Sequence, residues 1–467
     1  MKPISIIIIL FLFQQLTIAQ KVDVYSRPVK TERSRDFDAI HYKIILNVDL
    51  EKKTLAGENQ ITLSPLNDNF ERCVLDATDL VVTSVINNDG KSLIFEQTDN
   101  QIIINLSRQY NHAETVKITL NYTLGKPVLG LRFIDATATN PLMVSTDCFP
   151  DKARQWIPCY DYPNDKVTTE MIVTVDKKYK VLSNGRLVSK NENSMQETVT
   201  YHWSQELPHS TYLINLHIAD YAVIESSLGS LPINYWVYKG LEEEAKTTFM
   251  KTPYMIDFYS KLYDYPYPWA KYDQVITSYM GGGAEATSAT ILGEGIVMDS
   301  IAEKDYSREV VIAHEIAHQW WGDLITLRSW EHTWLNESFG TYSDYLYTRF
   351  DKGEDAGAYD LLGKKNQYLN EAHNRYIRPI VFNRYNNPGD NFDSHTYPKG
   401  ACMLHLLRYI LGDDAFFRTL SAFLHENEFK PVDTHDFMKT VKEVSGKNMD
   451  WFFEQYIFSP GHPIFEV

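Results

Sequence analysis

His314, Glu315 and His318 stand in the apolar segment VVIAHEIAHQWW, and their types and spacing point to metal chemistry. Residues four apart on a helix lie one turn above each other, so the two imidazoles converge on one ion. Glu315 projects about 100° further round the axis, beside such an ion and not onto it. That position suits a general base acting on water activated by the metal. Two core histidines beside a surface glutamate would give the same pattern, so it needs a third ligand. Catalytic zinc takes three protein ligands and keeps a fourth position open. Glu337 supplies the carboxylate, 19 positions after His318, early in a second segment, TWLNESFGTYSDYLYTRF. The expected metal set is therefore His314, His318 and Glu337, holding one Zn2+ per chain. Two imidazoles and a carboxylate favour zinc over other divalent ions. Thr341, one turn after Glu337, either orients a ligand histidine or bonds its own backbone.

These side chains have to be carried by helices. Ser307 can cap a helix whose first turn holds Glu309, a favourable place for an anion. The absence of Gly and Pro from Ser307 to Trp321 predicts a helix through HEIAH, and a second helix is expected from near Thr333. Upstream the pattern is different. From about Phe37 to Ile224, runs such as HYKIILNVDL, QIIINLS, VKITLNYTL and MIVTVD are β-branched or alternate with period two. Turn residues separate them, as in NNDGKS and SNGR. The expected fold class is α+β and multidomain: an all-β saddle or sandwich domain over residues 20–228, then a mostly helical domain over 229–467. The boundary is expected within ESSLGSLPI, Glu225 to Ile233.

Composition limits the alternatives. The 467 residues are 44% hydrophobic and 23% charged, an ordinary globular balance with length for two domains. With 61 acidic and 45 basic side chains the formal charge is −16, which repels nucleic acid. Lys2, the apolar run from Ile4 to Phe13 and the small residues around Ala19 read as a secretory signal over residues 1–19. That run is too short to span a bilayer comfortably, so no stable membrane insertion is expected after cleavage. A secreted or periplasmic protein is the expectation. Cys73, Cys148, Cys159 and Cys402 lack zinc-ribbon spacing, and in an oxidising compartment either a Cys148–Cys159 disulfide or four buried thiols would serve.

Beyond HEIAHQWWGD and WLNESF, the chain carries ARQWIPCYDYP, STYLINLHIADY, YPYPWAKYDQV, GGGAEATSAT and TYPKG. With these it resembles the M1 family of gluzincin aminopeptidases from about residue 37 to the end. The resemblance implies a β domain packed on a thermolysin-like zinc peptidase domain, and peptides as substrates. It implies Glu315 as the general base and Tyr397, the tyrosine of the Y-x-K-G motif, as donor to the oxyanion. The family's G-x-M-E-N loop reads Gly282-Gly283-Ala284-Glu285-Ala286, so Glu285 would anchor the substrate's α-ammonium. Gly282, Gly283 and Ala284 would let a peptide approach as an added strand. Two departures bear on specificity. Ala284 and Ala286 replace Met and Asn, and Phe149 stands where Glu or Gln is frequent. The expected function is a secreted zinc aminopeptidase. The alternative is a zinc endopeptidase, or another zinc hydrolase, with weakened amine recognition. Many relatives continue past this chain's final segment, SPGHPIFEV, and an open cleft is expected here. Oligomeric state is not readable from the sequence.

Overall fold

Alternation of apolar and polar residues gives a strand one buried face. The strand Phe37–Asp49 shows this: Tyr42, Ile44, Leu46 and Val48 are buried and the residues between them less so. In the computed structural model, which describes residues 21–124 and 128–464, this strand lies at the centre of a seven-stranded sheet. The expected signal, 1–19, lies outside the described residues. The order is Arg186–Asn193, Thr198–His209, Val167–Asp176, Phe37–Asp49, Thr54–Pro65, Val116–Leu124 and Val81–Asn87. Phe37–Asp49 and Val167–Asp176 run parallel and the other neighbours antiparallel. A three-stranded and a four-stranded sheet complete the β-rich front.

The expected boundary at 228/229 falls in a hairpin turn. Tyr221–Leu228 and Leu231–Tyr238 form a hairpin, with Leu228 opposite Leu231 and Gly229 at φ +60° in the turn. The second strand pairs in parallel with Tyr272–Thr277, so both belong to the five-stranded sheet of the second domain. The sheets divide at Asp220. A two-residue Gly-Ser loop between alternating strands is a hairpin signal, and here it resembled a linker.

That five-stranded sheet ends at the short outer strand Gly283–Ala284, antiparallel to Ala289–Gly293. Apart from a parallel strand pair, Thr326–Leu327 with Pro431–Val432, the rest of the second domain is mostly helical: α1 (Glu242–Phe249), α2 (Thr252–Leu262), α3 (Ala302–Asp305), α4 (Glu309–Ala317), α5 (Trp334–Lys352), α6 (Glu354–Asn374), α7 (Gly400–Leu411), α8 (Asp413–Asn427), α9 (Thr434–Ser445) and α10 (Asp450–Phe453). None among the described residues is long and apolar enough to cross a membrane. All four cysteines are free thiols, and Cys148 Sγ accepts from Trp156 Nε1 at 3.3 Å.

The front domain braces the back one where the chemistry-bearing loops lie. Asn184 Nδ2 donates to Thr287 O at 2.8 Å, and Gly185 N to Ser288 Oγ at 2.8 Å. The Tyr212 hydroxyl donates to Gly322 O at 3.1 Å, just past α4. Buried apolar side chains from Phe37 to Ile457 form one contiguous cluster across both domains. A shared core couples their unfolding. Ile44→Ala, at a fully buried site of the front domain, is expected to destabilise the whole chain by about 2–5 kcal/mol in one urea transition followed by circular dichroism. Two separate transitions, with the second domain unaffected, would contradict the shared core.

Candidate metal centre and active site

Helix α4 carries HEIAH as expected, with His318 as its helical C-cap. It runs from Glu309 to Ala317, with Ser307 Oγ accepting from Glu309 N at 3.3 Å. Beyond it the chain tightens. Gln319 N and Trp320 N reach back three residues, to Ile316 O and Ala317 O, both at 3.1 Å. This brings the Trp321 carbonyl under the His318 ring, 2.7 Å from Nδ1. At the other end Glu309 bridges Lys251 of the α2 start at 2.7 Å and Lys352 of α5 at 2.8 Å.

A carbonyl can only accept, so His318 Nδ1 carries a hydrogen, which leaves Nε2 as the atom that can take an ion. His314 behaves likewise, with Nδ1 3.3 Å from Asp344 Oδ2. The two Nε2 atoms face each other at 3.0 Å. Glu337 Oε2 lies 3.5 Å from His314 Nε2 and 3.3 Å from His318 Nε2. Ligands about 2.0–2.1 Å from a tetrahedral zinc would stand about 3.3 Å apart, so the three atoms fit that ion.

The surroundings also favour a cation. Burial opposes charge on both rings, yet Asp344 and Glu337 lift His314 to about 9, and Glu337 and Glu285 lift His318 well above its ordinary value. Burial also opposes the Glu337 charge, but the His318 ring and hydrogen bonds from both histidines hold it at about 2.

Glu315 is buried, and burial outweighs the two rings to raise its carboxyl. It packs against Gly283, where an added Cβ would overlap the carboxylate. Glycine at 283 is therefore what lets the outer strand lie on α4. Burial raises Glu285 to about 7, against the pull of His318. Its Oε1 is buried without a hydrogen-bond partner, and carboxylate oxygens of Glu285 and Glu315 lie within 4.8 Å of each other and of a His318 nitrogen.

Tyr397 reaches this group from a single π-helical turn, His395–Lys399, that runs into α7. Its ring lies over His314 with centroids 6.0 Å apart and planes 21° apart. Burial and the charges of Glu337 and Glu285 push its hydroxyl well above the ordinary phenol value, so it stays protonated. Gly400 explains the last letter of TYPKG: a Cβ there would overlap the Ser338 hydroxyl of WLNESF.

A cavity of about 410 Å3 is lined by Gly282, Gly283, Ala284, Glu285, Glu315, both histidines, Glu337 and Tyr397. The structure thus brings all the sequence-derived site residues to one place. Phe149 also lines the cavity, its ring packed 5.3 Å from Tyr212, 5.7 Å from Trp330 and 4.8 Å from Phe392. Ala286 is buried beside the loop. Thr341 does not orient a histidine: its Oγ1 is buried and makes no hydrogen bond among the described residues. Asp344 does so instead. The signal was present, because Asp344 lies seven positions, two helical turns, after Glu337. Asp344 is held in turn by Lys364, Nζ to Oδ1 2.7 Å.

Residues 247–456 match the model of the peptidase family M1 domain, and 38–213 that of the peptidase M1 N-terminal domain. The chain belongs to peptidase family M1. It is similar to probable aminopeptidase 1 of Sulfurisphaera tokodaii, 27% identical over 436 residues that cover 91% of this chain and 53% of the relative. It is similar to the leucyl aminopeptidase of Saccharolobus solfataricus, 26% identical over 434 residues, 91% of this chain and 54% of that enzyme. This M1 chain thus spans about half the length of these relatives. Its fold is that of an M1 zinc metallopeptidase from Deinococcus radiodurans, with a TM-score of 0.77 at 24% identity, over 93% of this chain and 96% of the other.

The Asp344 contact generates a test. Asp344→Asn is expected to weaken zinc binding about 10–100-fold, measured by competition with a chelator. Unchanged affinity would show that Asp344 does not orient His314.

Proposed function

We propose that the chain is a zinc-dependent aminopeptidase that removes the first residue of peptides. The observation that carries this reading is Glu285: a buried carboxylate with an unpartnered oxygen beside the His314, His318 and Glu337 tripod. A site that held only zinc and a base would cleave peptide bonds without regard to chain ends. An unpaired buried anion adds a place for one ammonium group at a fixed distance from the scissile bond. The names of the relatives in Sulfurisphaera and Saccharolobus agree with this reading.

His314, His318 and Glu337 would hold the zinc. A bound zinc supplies a Lewis acid that polarises the carbonyl and makes water acidic enough to attack near neutral pH. The chain's own residues do the rest. Glu285 holds the α-ammonium. The free edge of Gly283–Ala284 pairs with the extended backbone of the peptide. Glu315 takes the proton of the attacking water at its carboxylate and returns it to the leaving nitrogen. Its raised affinity for a proton suits that transfer. The Tyr397 hydroxyl donates to the oxyanion of the tetrahedral intermediate. Phe149, fixed among three aromatic rings, offers the ammonium no hydrogen bond and gives the cavity an apolar wall. It also favours a second reading, a zinc endopeptidase on the same frame. Peptides are the proposed partners, and Lys2, the run from Ile4 to Phe13 and Ala19 support export of the enzyme.

Glu315→Gln is expected to bind zinc normally and lose about 10²–10⁴-fold in kcat. Glu285→Ala is expected to raise KM for free-amine peptides more than it lowers kcat. An active Glu315→Gln enzyme would remove the base assignment, and an unchanged KM would remove the anchor.

A further inference from the structure

The proposed reaction needs the Tyr397 hydroxyl in one place, yet Tyr397 rides on one irregular turn. That turn is gripped from behind by a buried cation. Arg378 is 0% exposed. Its Nε donates to Asp393 Oδ2 at 2.8 Å and one terminal nitrogen to Asp393 Oδ1 at 2.6 Å. The same nitrogen donates to Thr396 Oγ1 at 2.8 Å and Asn391 O at 3.1 Å. The other donates to Pro379 O at 2.7 Å and Ile380 O at 2.9 Å. Asp393 Oδ1 in turn accepts from His395 N at 2.9 Å and Thr396 N at 3.1 Å, which closes the turn that carries Tyr397.

Glu371, Asp393 and His395 lie close enough together to hold a metal ion. The guanidinium already fills that role. Burial raises the Asp393 carboxyl, but Arg378 outweighs it and holds the group below the usual carboxylate range. The remaining acceptors are also taken. Glu371 Oε2 accepts from Ser394 N at 2.7 Å, and His395 Nε2 from Arg378 N at 3.3 Å. Val24 of the N-terminal segment, with Tyr376 and Phe382, forms an apolar cluster whose Phe382 ring lies 5.5 Å from the guanidinium carbon.

Thr396 is thus held on two sides. Arg378 grips its side chain, and Ser338 Oγ donates to its carbonyl at 2.5 Å. These bonds fix the backbone from which the Tyr397 side chain projects. We propose that Arg378, acting through Asp393 and Thr396, is a positioning residue that sets the Tyr397 hydroxyl for the transition state. This rests on the reading of Tyr397 as the oxyanion donor. A lysine could not substitute, because a point charge with three donors cannot span these acceptors at once.

The test is a double-mutant cycle on the zinc-loaded full chain: Arg378→Lys and the milder Thr396→Val, each alone and with Tyr397→Phe. Arg378→Lys is expected to lower kcat about 10–100-fold, with KM within about threefold, and Thr396→Val about 3–10-fold. Both losses should nearly vanish once the Tyr397 hydroxyl is gone. Equal losses with and without that hydroxyl would overturn the proposal. Should Arg378→Lys not fold, Thr396→Val alone completes the cycle. A phosphinic dipeptide, a tetrahedral mimic, gives a readout that needs no turnover. Its affinity should fall by about the same factors in both variants while that of a free amino acid holds. Unchanged affinity would overturn the proposal, whereas a wild-type chain that hydrolyses no peptide would sink the functional reading alone.

Discussion

Two imidazole Nε2 atoms face each other at 3.0 Å, with a carboxylate oxygen 3.3 and 3.5 Å away. Two such nitrogens repel whether both carry hydrogens or both carry lone pairs, and a metal ion that displaces the hydrogens turns the repulsion into attraction. Much of the second domain can be understood as the frame that holds this arrangement. The tightened end of α4 fixes one ring through the Trp321 carbonyl, and α5 fixes the other through Asp344. Glu309 ties α4 to α5 and to the start of α2. Gly283 and Gly400 remove side chains where the outer strand and α7 must close on the group.

The same constraint accounts for the electrostatics. Glu285, Glu315, Glu337 and Asp344 gather four carboxyl groups around two histidines, and of the four only Asp344 is paired with a lysine, Lys364. Burial makes that crowding expensive. One cation relieves part of it, and the ammonium of a peptide would relieve more at Glu285. Under the proposed function, the unpartnered oxygen of Glu285 is what would select a positive chain end. Arg378 solves the corresponding problem on the far side of the Tyr397 turn with a cation of the chain's own.

The metal ligands were legible because they fall in two short segments with helical spacing. Tyr397 was not legible by itself. It is one of 30 tyrosines, 60 positions beyond Glu337, and the TYPKG motif singled it out. Arg378 was missed for the same reason, since nothing local marks an arginine whose side-chain partners, Asp393 and Thr396, lie well further along the chain. The alternating strands made the front domain readable, while the Leu228–Leu231 hairpin looked like a linker because its tip is Gly-Ser. The helix through HEIAH was readable from the absence of Gly and Pro, whereas the tightened turn after His318 was not. In each case local periodicity was readable, and contacts between distant segments decided the remainder.

The most direct measurement compares a short free-amine peptide with its N-acetylated twin on the zinc-loaded protein, with products identified by mass spectrometry. The account predicts release of the first residue from the free peptide and no cleavage of the acetylated one, because only the former presents an ammonium to Glu285. Equal cleavage of both, or cuts inside the chain, would contradict it and make the protein an endopeptidase on the same metal centre.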